Sequence, residues 1–255
     1  MASENRFGFE WDLYSHLDPK YELQFRNWVA PLQPVDFEGM KVLDAGCGMG
    51  RNSYWALRWG ARSVVAFDFD ERTVAATRRN LKQFHEAHVL FSSIYDIGWK
   101  NEFDVAMSIG VIHHLENPHR ALSNMVNALK PGGTLLIWVY SYEGNEWIPK
   151  FVDPIRTYVT SRLPVRMTYW LSYLASVPLW AMLKIFRGQT PYLRELSTFR
   201  FRHVHGIVFD QLIPEIAHYW TKDDVRELID TVAVKNIRIN PGGHGSGWTV
   251  TATKY

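Results

Sequence analysis

The chain of 255 residues contains one cysteine, little net charge and no uncharged segment as long as a membrane span. A single thiol, Cys47, excludes an internal disulfide and is typical of a reducing compartment. The formal net charge of +2 creates no overall field that favours nucleic acid. The first residues also lack the apolar segment of a signal peptide. We therefore expect a cytoplasmic globular protein that does not bind nucleic acid.

A glycine-rich segment follows the first strand-like run. The apolar run ends in Asp44, and Gly46, Gly48 and Gly50 follow before a predicted helix over residues 51–59. Glycine tolerates positive φ and allows a ligand to approach the backbone closely. The dinucleotide fingerprint is G-x-G-x-x-G, whereas this segment has an acid before the first of three alternating glycines. A purely structural turn in another α/β protein is the alternative interpretation.

A second acid ends the next predicted strand. The run over residues 63–67 leads into Asp68, and Asp70 is expected to cap a helix over residues 71–84. A carboxylate at the end of the second strand of such a fold accepts hydrogen bonds from a ribose diol. Asp68 therefore indicates adenosine binding without distinguishing S-adenosylmethionine (SAM) from NAD.

The rest of the chain alternates predicted strands and helices, which indicates a parallel sheet with its ligand beyond the carboxyl ends of the strands. The further predicted strands cover residues 88–91, 103–108, 134–140, 234–239 and 248–254.

Several motifs in this order resemble those of class I SAM-dependent methyltransferases, in their ubiquinone/menaquinone-biosynthesis-like branch. Besides the Asp44 and glycine segment, they are Phe103-Asp104, His113-His114-Leu115 and Leu129-Lys130-Pro131-Gly132-Gly133. The resemblance implies an α/β, Rossmann-like, seven-stranded and mostly parallel sheet with an antiparallel last strand and helices on both faces. Residues 41–140 would then be the SAM-binding core, and residues 216–255 would complete the sheet.

The resemblance also assigns roles in cofactor binding. Asp44 would take the amino group of SAM and Asp68 the ribose, while Ser93 and Ile94 would contact the adenine. The other implied cofactor-binding residues are Gly46, Cys47, Gly48, Phe69, Ser108 and Gly110.

Two further regions are expected to cover this core. Residues 1–40 are predicted to form a helical lid that brings Trp11 and Tyr14 near the substrate. Residues 141–215 are a helical insertion after the fifth strand, and residues 150–206 hold nine lysines and arginines against two acids. Their uncharged run over residues 167–183 is interpreted as a buried substrate-cap helix, an interfacial helix or a membrane span.

Candidate substrate residues also follow from position. Tyr140 ends the fifth predicted strand, and residues 199–205 alternate aromatic and basic side chains, which predicts a strand or extended loop. His203 and His205 would then share one face, either as an anion clamp or proton acceptor, or as an exposed edge. No acid or cysteine lies at a spacing that would make these histidines a metal site.

We predict a SAM-dependent methyltransferase that acts on a small hydrophobic or amphiphilic, anionic or lipid-like acceptor. His113 and His114 are candidate general bases, or they merely line the site. An NAD-dependent oxidoreductase and a non-catalytic SAM-binding protein that docks on membranes are the alternatives. Residues 162–187 are the segment expected to touch a membrane peripherally.

Overall fold

The computed structural model describes residues 2–186, 191–242 and 245–255, so Arg187, the last residue of the segment expected to touch a membrane, lies outside the described residues. Seven strands form one sheet in the order β3-β2-β1-β4-β5-β7-β6. The strands are β1 (Lys41–Ala45), β2 (Ser63–Asp68), β3 (Ala87–Phe91), β4 (Phe103–Ile109), β5 (Leu129–Tyr140), β6 (Val234–Gly242) and β7 (Gly247–Lys254).

The sheet is parallel except at one strand. Strands β1 to β5 pair in parallel, whereas β7 runs antiparallel to both β5 and β6. This arrangement confirms the predicted Rossmann-like fold with its antiparallel last strand. The carboxyl ends of β1, β2, β4 and β5 consequently meet at one edge, which is where ligands bind in open α/β sheets.

Helices cover both faces of the sheet. They are α1 (Ala2–Leu13), α2 (Tyr21–Val29), α3 (Arg51–Arg58), α4 (Glu71–Leu81), α5 (Pro118–Ala128), α6 (Asp153–Tyr158), α7 (Val165–Phe186), α8 (Pro191–Thr198), α9 (Phe201–Leu212) and α10 (Lys222–Asp230). Alternate side chains of each strand point to opposite faces, so the sheet separates two apolar clusters. Leu43 and Ala45 lie in one cluster, and Val42 lies in the other.

Capping residues explain where two helices begin. Asp70 accepts hydrogen bonds from the backbone N–H groups of Arg72 and Thr73, as expected for the cap of α4. Thr221 and Asp224 form a capping box at the start of α10, as their spacing predicts.

Two local predictions were wrong. The strand predicted over residues 134–140 starts five residues earlier, because β5 begins at Leu129, and its register with β4 shifts between Phe103 and Val105. The alternating segment at residues 199–205 is not a strand, because α9 begins at Phe201. Its buried residues Val204, His205 and Phe209 recur at helical spacing, so packing of the helix overrides the short alternation.

The insertion after β5 is predominantly helical and is fastened to the N-terminal helix by one buried arginine. Arg6 is only 7% exposed and donates to the carbonyl oxygens of Thr160 (2.7 Å), Leu163 (2.8 Å) and Ile213 (2.8 Å). A guanidinium group presents five donors in a fixed plane, so it can join chain segments that are far apart in sequence. Helix α1 and the insertion therefore form one connected cover.

Helix α7 has an unusual distribution of polarity. Its buried positions include Thr168, Ser172 and Ser176, whereas Trp170 and Leu174 are 69% and 77% exposed. The apolar face thus points outward. Among the described residues, no helix has the length and apolar character needed to cross a membrane.

Candidate active site

The glycine turn after β1 is fixed by β2. The backbone N–H groups of Gly46 and Cys47 both donate to the carbonyl oxygen of Phe67 at 3.0 Å. The N–H of Gly48 donates to Asp68 Oδ2, also at 3.0 Å. The glycine turn and the acid that ends β2 therefore lie together, in the arrangement that the sequence predicts for an adenosine site. Burial raises the pKa of Asp68 to about 7.

Asp44 lies beneath this turn and is fully buried. Its Oδ2 accepts a hydrogen bond of 2.6 Å from the hydroxyl of Ser53, whereas Oδ1 has no partner within the described ranges. Burial raises the pKa of Asp44 to about 6. An unpaired buried carboxylate oxygen requires a donor, and a bound ammonium group would supply one.

The predicted adenine side of the site combines an exposed ring with a buried aliphatic side chain. Phe69 is 41% exposed and stacks on Phe91, with ring centroids 5.4 Å apart. Ile94 is buried, and the hydroxyl of Ser93 accepts a hydrogen bond from the N–H of Tyr95. These side chains lie where β2 and β3 end, so their positions are compatible with an adenine ring.

Two of the predicted cofactor residues use their side chains within the protein. The hydroxyl of Ser108 donates to the carbonyl oxygen of Ala45 at 2.8 Å and thereby joins β4 to β1. Cys47 is buried, with Sγ 3.6 Å from Thr77 Oγ1, and burial raises the pKa of its thiol well above the usual value. Gly110, at the end of β4, adopts φ +80° with open space where a Cβ atom would project.

The two predicted catalytic histidines follow β4 and pack against Tyr140 at the end of β5. The ring of His113 lies 3.9 Å from that of Tyr140, and neither of its nitrogens has a hydrogen-bond partner in the part of the chain that the structure describes. His114 Nδ1 lies 2.7 Å from the carbonyl oxygen of Ile216, to which it donates as Nδ1–H. Burial lowers the pKa of His113 well below its usual value and that of His114 to about 4, so both rings are neutral at pH 7.

Helix α1 crosses the edge of the sheet above the glycine turn. Gly8 packs against the carboxyl group of Asp70, where an added Cβ atom would lie 2.0 Å from Cγ. An added Cβ atom on Gly48 would lie 3.3 Å from the ring of Trp11. Tyr14 instead packs against Gly206 and His205 of α9. Trp11 is therefore at the glycine turn, and Tyr14 is between α1 and α9.

His203 and His205 do not share a face, because they lie on a helix rather than a strand. His203 packs on Tyr21, whose hydroxyl is 3.3 Å from His203 Nδ1. His205 points toward α7, where its Nδ1 lies 3.2 Å from the hydroxyl of Ser172. Residues two apart on a helix are about 200° apart around its axis, so the predicted two-histidine clamp does not form. Among the described residues, no cluster of histidine, cysteine and acidic side chains could hold a metal ion.

Three charged residues near the site were missed from the sequence. Arg51, the first residue of α3, places its guanidinium 4.6 Å from the ring centroid of Trp28 and 5.4 Å from that of Trp11. Glu10 and Asp210 face this cation from α1 and α9. In the sequence, Glu10 lies between two aromatic residues and Asp210 follows one. An acid beside aromatic residues is a signal for a buried charge, and this signal was not used in the prediction.

Comparison with known proteins finds a methyltransferase domain in part of the chain. Residues 43–137 match the family described as "Methyltransferase domain". The chain is 30% identical to a tRNA U34 carboxymethyltransferase of Pseudoalteromonas atlantica, over 51% of this chain and 41% of that protein. It is 24% identical to a mitochondrial ubiquinone biosynthesis O-methyltransferase of Dictyostelium discoideum, over 55% of this chain and 47% of that protein. The chain thus spans less than half the length of these curated relatives.

The fold comparison covers more of the molecule. The magnesium protoporphyrin IX methyltransferase of Synechocystis, solved with bound S-adenosylhomocysteine, superposes with a TM-score of 0.59. That match covers 97% of this chain and 94% of the other at 13% identity, so it establishes the fold alone. The matched domain, the similar curated proteins and the shared fold together support a class I SAM-dependent methyltransferase. SAM is the cofactor of this class, as the sequence predicts.

The residues present fit this cofactor. Asp44 offers an unpaired buried carboxylate oxygen, Asp68 lies at the glycine turn, and Phe69 presents an exposed ring. Asp44 and Asp68 would hold the amino group and the ribose. When bound, SAM supplies a methyl group activated by a positively charged sulfur.

The raised pKa of Asp68 predicts that cofactor binding depends on pH. Hydroxyl donors stabilise the carboxylate form, so binding of S-adenosylhomocysteine should weaken about tenfold per pH unit as pH falls below about 7. The fall should steepen below about pH 6, where Asp44 also becomes protonated. Isothermal titration calorimetry in buffers of different ionisation enthalpy would measure both the affinity and the protons released. An affinity that stays constant from about pH 8 to pH 5 would contradict this assignment.

Proposed function

We propose that this protein transfers a methyl group from SAM to a small planar or amphiphilic acceptor bound beneath α1. Two observations support the proposal: Trp11 lies against the glycine turn, which Asp68 also contacts, and His113 and Tyr140 pack together after the neighbouring strands β4 and β5. These rings would hold an apolar acceptor against the carboxyl ends of β4 and β5. Methyl transfer of this kind depends mainly on proximity and alignment, which a rigid aromatic site provides.

The domain organisation follows from this proposal. Residues 1–40 act as a lid and residues 141–215 as a substrate cap, while residues 41–140 and 216–255 form the sheet that holds the cofactor. The hydrogen bonds from Arg6 to Thr160 and Ile213 of the insertion support a lid and cap that act together. His113 lines the acceptor site as a neutral imidazole whose nitrogens are available to the acceptor.

Transfer of tritium from methyl-labelled SAM would test this function. We expect label in organic-extractable products from a panel of phenols, isoprenoid phosphates and phospholipids, and none in tRNA. Label in tRNA alone would refute a small acceptor and would indicate that tRNA is the substrate, as the name of one relative suggests. Binding of SAM without transfer to any acceptor would favour the non-catalytic alternative. Binding of NAD in place of SAM would favour the oxidoreductase.

We further propose that the outward face of α7 docks on an anionic lipid surface, from which an amphiphilic acceptor enters. Trp170, Leu174 and Ile185 of this face are 69%, 77% and 71% exposed. Exposed apolar side chains on adjacent turns form a patch of the kind found at interaction sites. Arg162 and Arg166 lie exposed at the start of the helix, and cations beside an apolar face are typical of helices that bind anionic interfaces.

Vesicle co-sedimentation would test the docking face. We expect binding to vesicles that contain phosphatidylglycerol, and about a tenfold loss in a Trp170→Glu/Leu174→Glu variant because two apolar anchors are removed. Leu90→Glu is a matched control, because Leu90 is also exposed but lies on β3. Arg162→Ala/Arg166→Ala should weaken binding to these vesicles as well. Equal sedimentation of all four proteins would exclude this surface, and a change of oligomeric state in the double glutamate variant would assign it to self-association.

A further inference from the structure

A pair of acidic side chains lies between α1 and α9, and we call Glu10 and Asp210 the acid pair. Glu10 is only 3% exposed, and Asp210 is partly buried. Their carboxyl groups are within hydrogen-bonding reach of each other. Burial and mutual repulsion raise the pKa of the Glu10 carboxyl, and burial raises that of Asp210, while the Arg51 guanidinium lowers both. Close carboxyl groups of this kind favour one shared proton over two negative charges.

A chain of hydrogen bonds fixes one member of the pair. The Tyr140 hydroxyl donates to Asp210 Oδ2 at 3.0 Å and accepts from Gln211 Nε2 at 3.1 Å. The Tyr219 hydroxyl in turn donates to Gln211 Oε1 at 2.8 Å. Burial raises the pKa of Tyr140 well above its usual value, so its hydroxyl remains a donor at neutral pH. These hydrogen bonds hold the Asp210 carboxyl in place, whereas, among the described residues, no such bond fixes the Glu10 carboxyl.

Glu10 has a buried oxygen, Oε2, to which no N–H group and no hydroxyl of the described residues donates a hydrogen bond. A buried polar atom without a partner costs about 1–3 kcal/mol, so such atoms are commonly sites for a ligand donor. The groups that face the pair are Arg51 from α3, Tyr140 from β5, Arg156 from α6, Tyr14 just after α1, and Tyr219.

The acid pair adjoins the proposed methyl-transfer site. Trp11, the residue after Glu10, lies against Gly48 of the glycine turn. Tyr140, which donates to Asp210, contacts His113 on one side and stacks on Tyr219 at 5.3 Å. The acid pair is thus joined through Trp11 and Tyr140 to the aromatic rings that would hold a planar acceptor.

We propose that the acid pair binds the O–H or N–H group of a planar acceptor through Glu10 and receives its proton during methyl transfer. This inference rests on the proposed function. The acceptor's O–H or N–H bond breaks, its proton goes to Glu10 Oε2, and its electron pair forms the new bond to the methyl carbon. SAM supplies that methyl group, and its sulfur keeps the electron pair of the broken carbon–sulfur bond. The doubly protonated pair then returns one proton to water.

Infrared spectroscopy of the whole protein with S-adenosylhomocysteine tests the pair without turnover. We expect a protonated-carboxyl band at pH 7 that disappears in Glu10→Gln and in Asp210→Asn but persists in Asp12→Asn. Asp12 is a matched control because it lies on the same helix but is exposed. Absence of the band in the unmodified protein, or its persistence in both acid-pair variants, would overturn the shared proton.

Two probe ligands then test the role toward the acceptor. Catechol carries two O–H groups on a planar ring, and 1,2-dimethoxybenzene carries none. We expect catechol, and not the dimethyl ether, to perturb the carboxyl band and to bind at least about tenfold more weakly to Glu10→Gln. Equal catechol affinity in Glu10→Gln and the unmodified protein would overturn the proposal.

Turnover separates this inference from the proposed function. If tritium is transferred to catechol, Glu10→Gln should lower the rate at saturating SAM about a hundredfold, and the acidic limb of the pH profile should disappear. An unchanged rate and pH profile would refute proton transfer to the pair. If SAM binds but no acceptor is labelled, the proposed function fails. The infrared band and catechol binding still test whether the acid pair shares a proton and binds an O–H group.

Discussion

Replacing Asp68 with alanine should weaken binding of S-adenosylhomocysteine about a hundredfold or more. The carboxylate end of β2 lies at the glycine turn, where it accepts the N–H of Gly48 and would accept the hydroxyl groups of a ribose. Hydrogen bonds to a charged group contribute about 1.5–3 kcal/mol each, and the loss of two corresponds to this factor. Isothermal titration calorimetry at pH 8, where the native carboxyl is ionised, would measure the change.

The control for this substitution is Asp96→Ala. Asp96 is exposed and forms an ion pair with Arg120 at 3.6 Å, so its removal should leave cofactor affinity unchanged. Asp68→Asn should have an intermediate affinity because an amide oxygen accepts hydrogen bonds but lacks the charge. A thermal melt of each variant would separate lost binding from lost folding. Affinity within about threefold of the unmodified protein in Asp68→Ala would remove Asp68 from the cofactor site.

The cofactor half of the fold is predictable from sequence because its signals are local. Glycines after Asp44, an acid at the end of β2 and a capping acid at position 70 each have a short-range physical reason. The parallel order of strands follows from the repeated alternation with helices. Asp44 and Asp68 therefore meet at the same edge of the sheet in the structure, as the strand ends predict.

The position of α1 and of the insertion over the site depends on contacts between residues far apart in the chain. Local sequence patterns do not predict such contacts. Arg6 donates a hydrogen bond to Thr160, which lies 154 positions later in the chain. Glu10 lies close to Asp210, which is 200 positions later. Residues 199–205 alternate like a strand, but the burial of Val204 and Phe209 against α7 and its neighbours selects a helix. Short alternations predict strands poorly because tertiary packing decides between the two periods.

The glycine turn itself permits a matched comparison of two substitutions. Gly46 and Gly39 both adopt the left-handed conformation, with φ +76° and +72°. A Cβ atom on Gly46 would lie 2.6 Å from Cγ2 of Val111, whereas one on Gly39 would meet nothing within 4 Å. Gly39→Ala should therefore cost only the left-handed conformation, about 1 kcal/mol of unfolding free energy. Gly46→Ala should cost about 3 kcal/mol, because overlap with a stiff branched side chain is added.

A third variant isolates the overlap. In the Gly46→Ala background, Val111→Ala removes both γ-carbons and should recover about 1–2 kcal/mol of unfolding free energy, although the same change alone destabilises the unmodified protein. Urea unfolding measures all four variants on one scale, and calorimetry with S-adenosylhomocysteine should show lost binding in Gly46→Ala and full binding in Gly39→Ala. Equal unfolding free energies for Gly46→Ala and Gly39→Ala would mean that the Val111 side chain moves away from the added Cβ atom without loss of stability. The turn would then be less rigid than a preformed cofactor site requires.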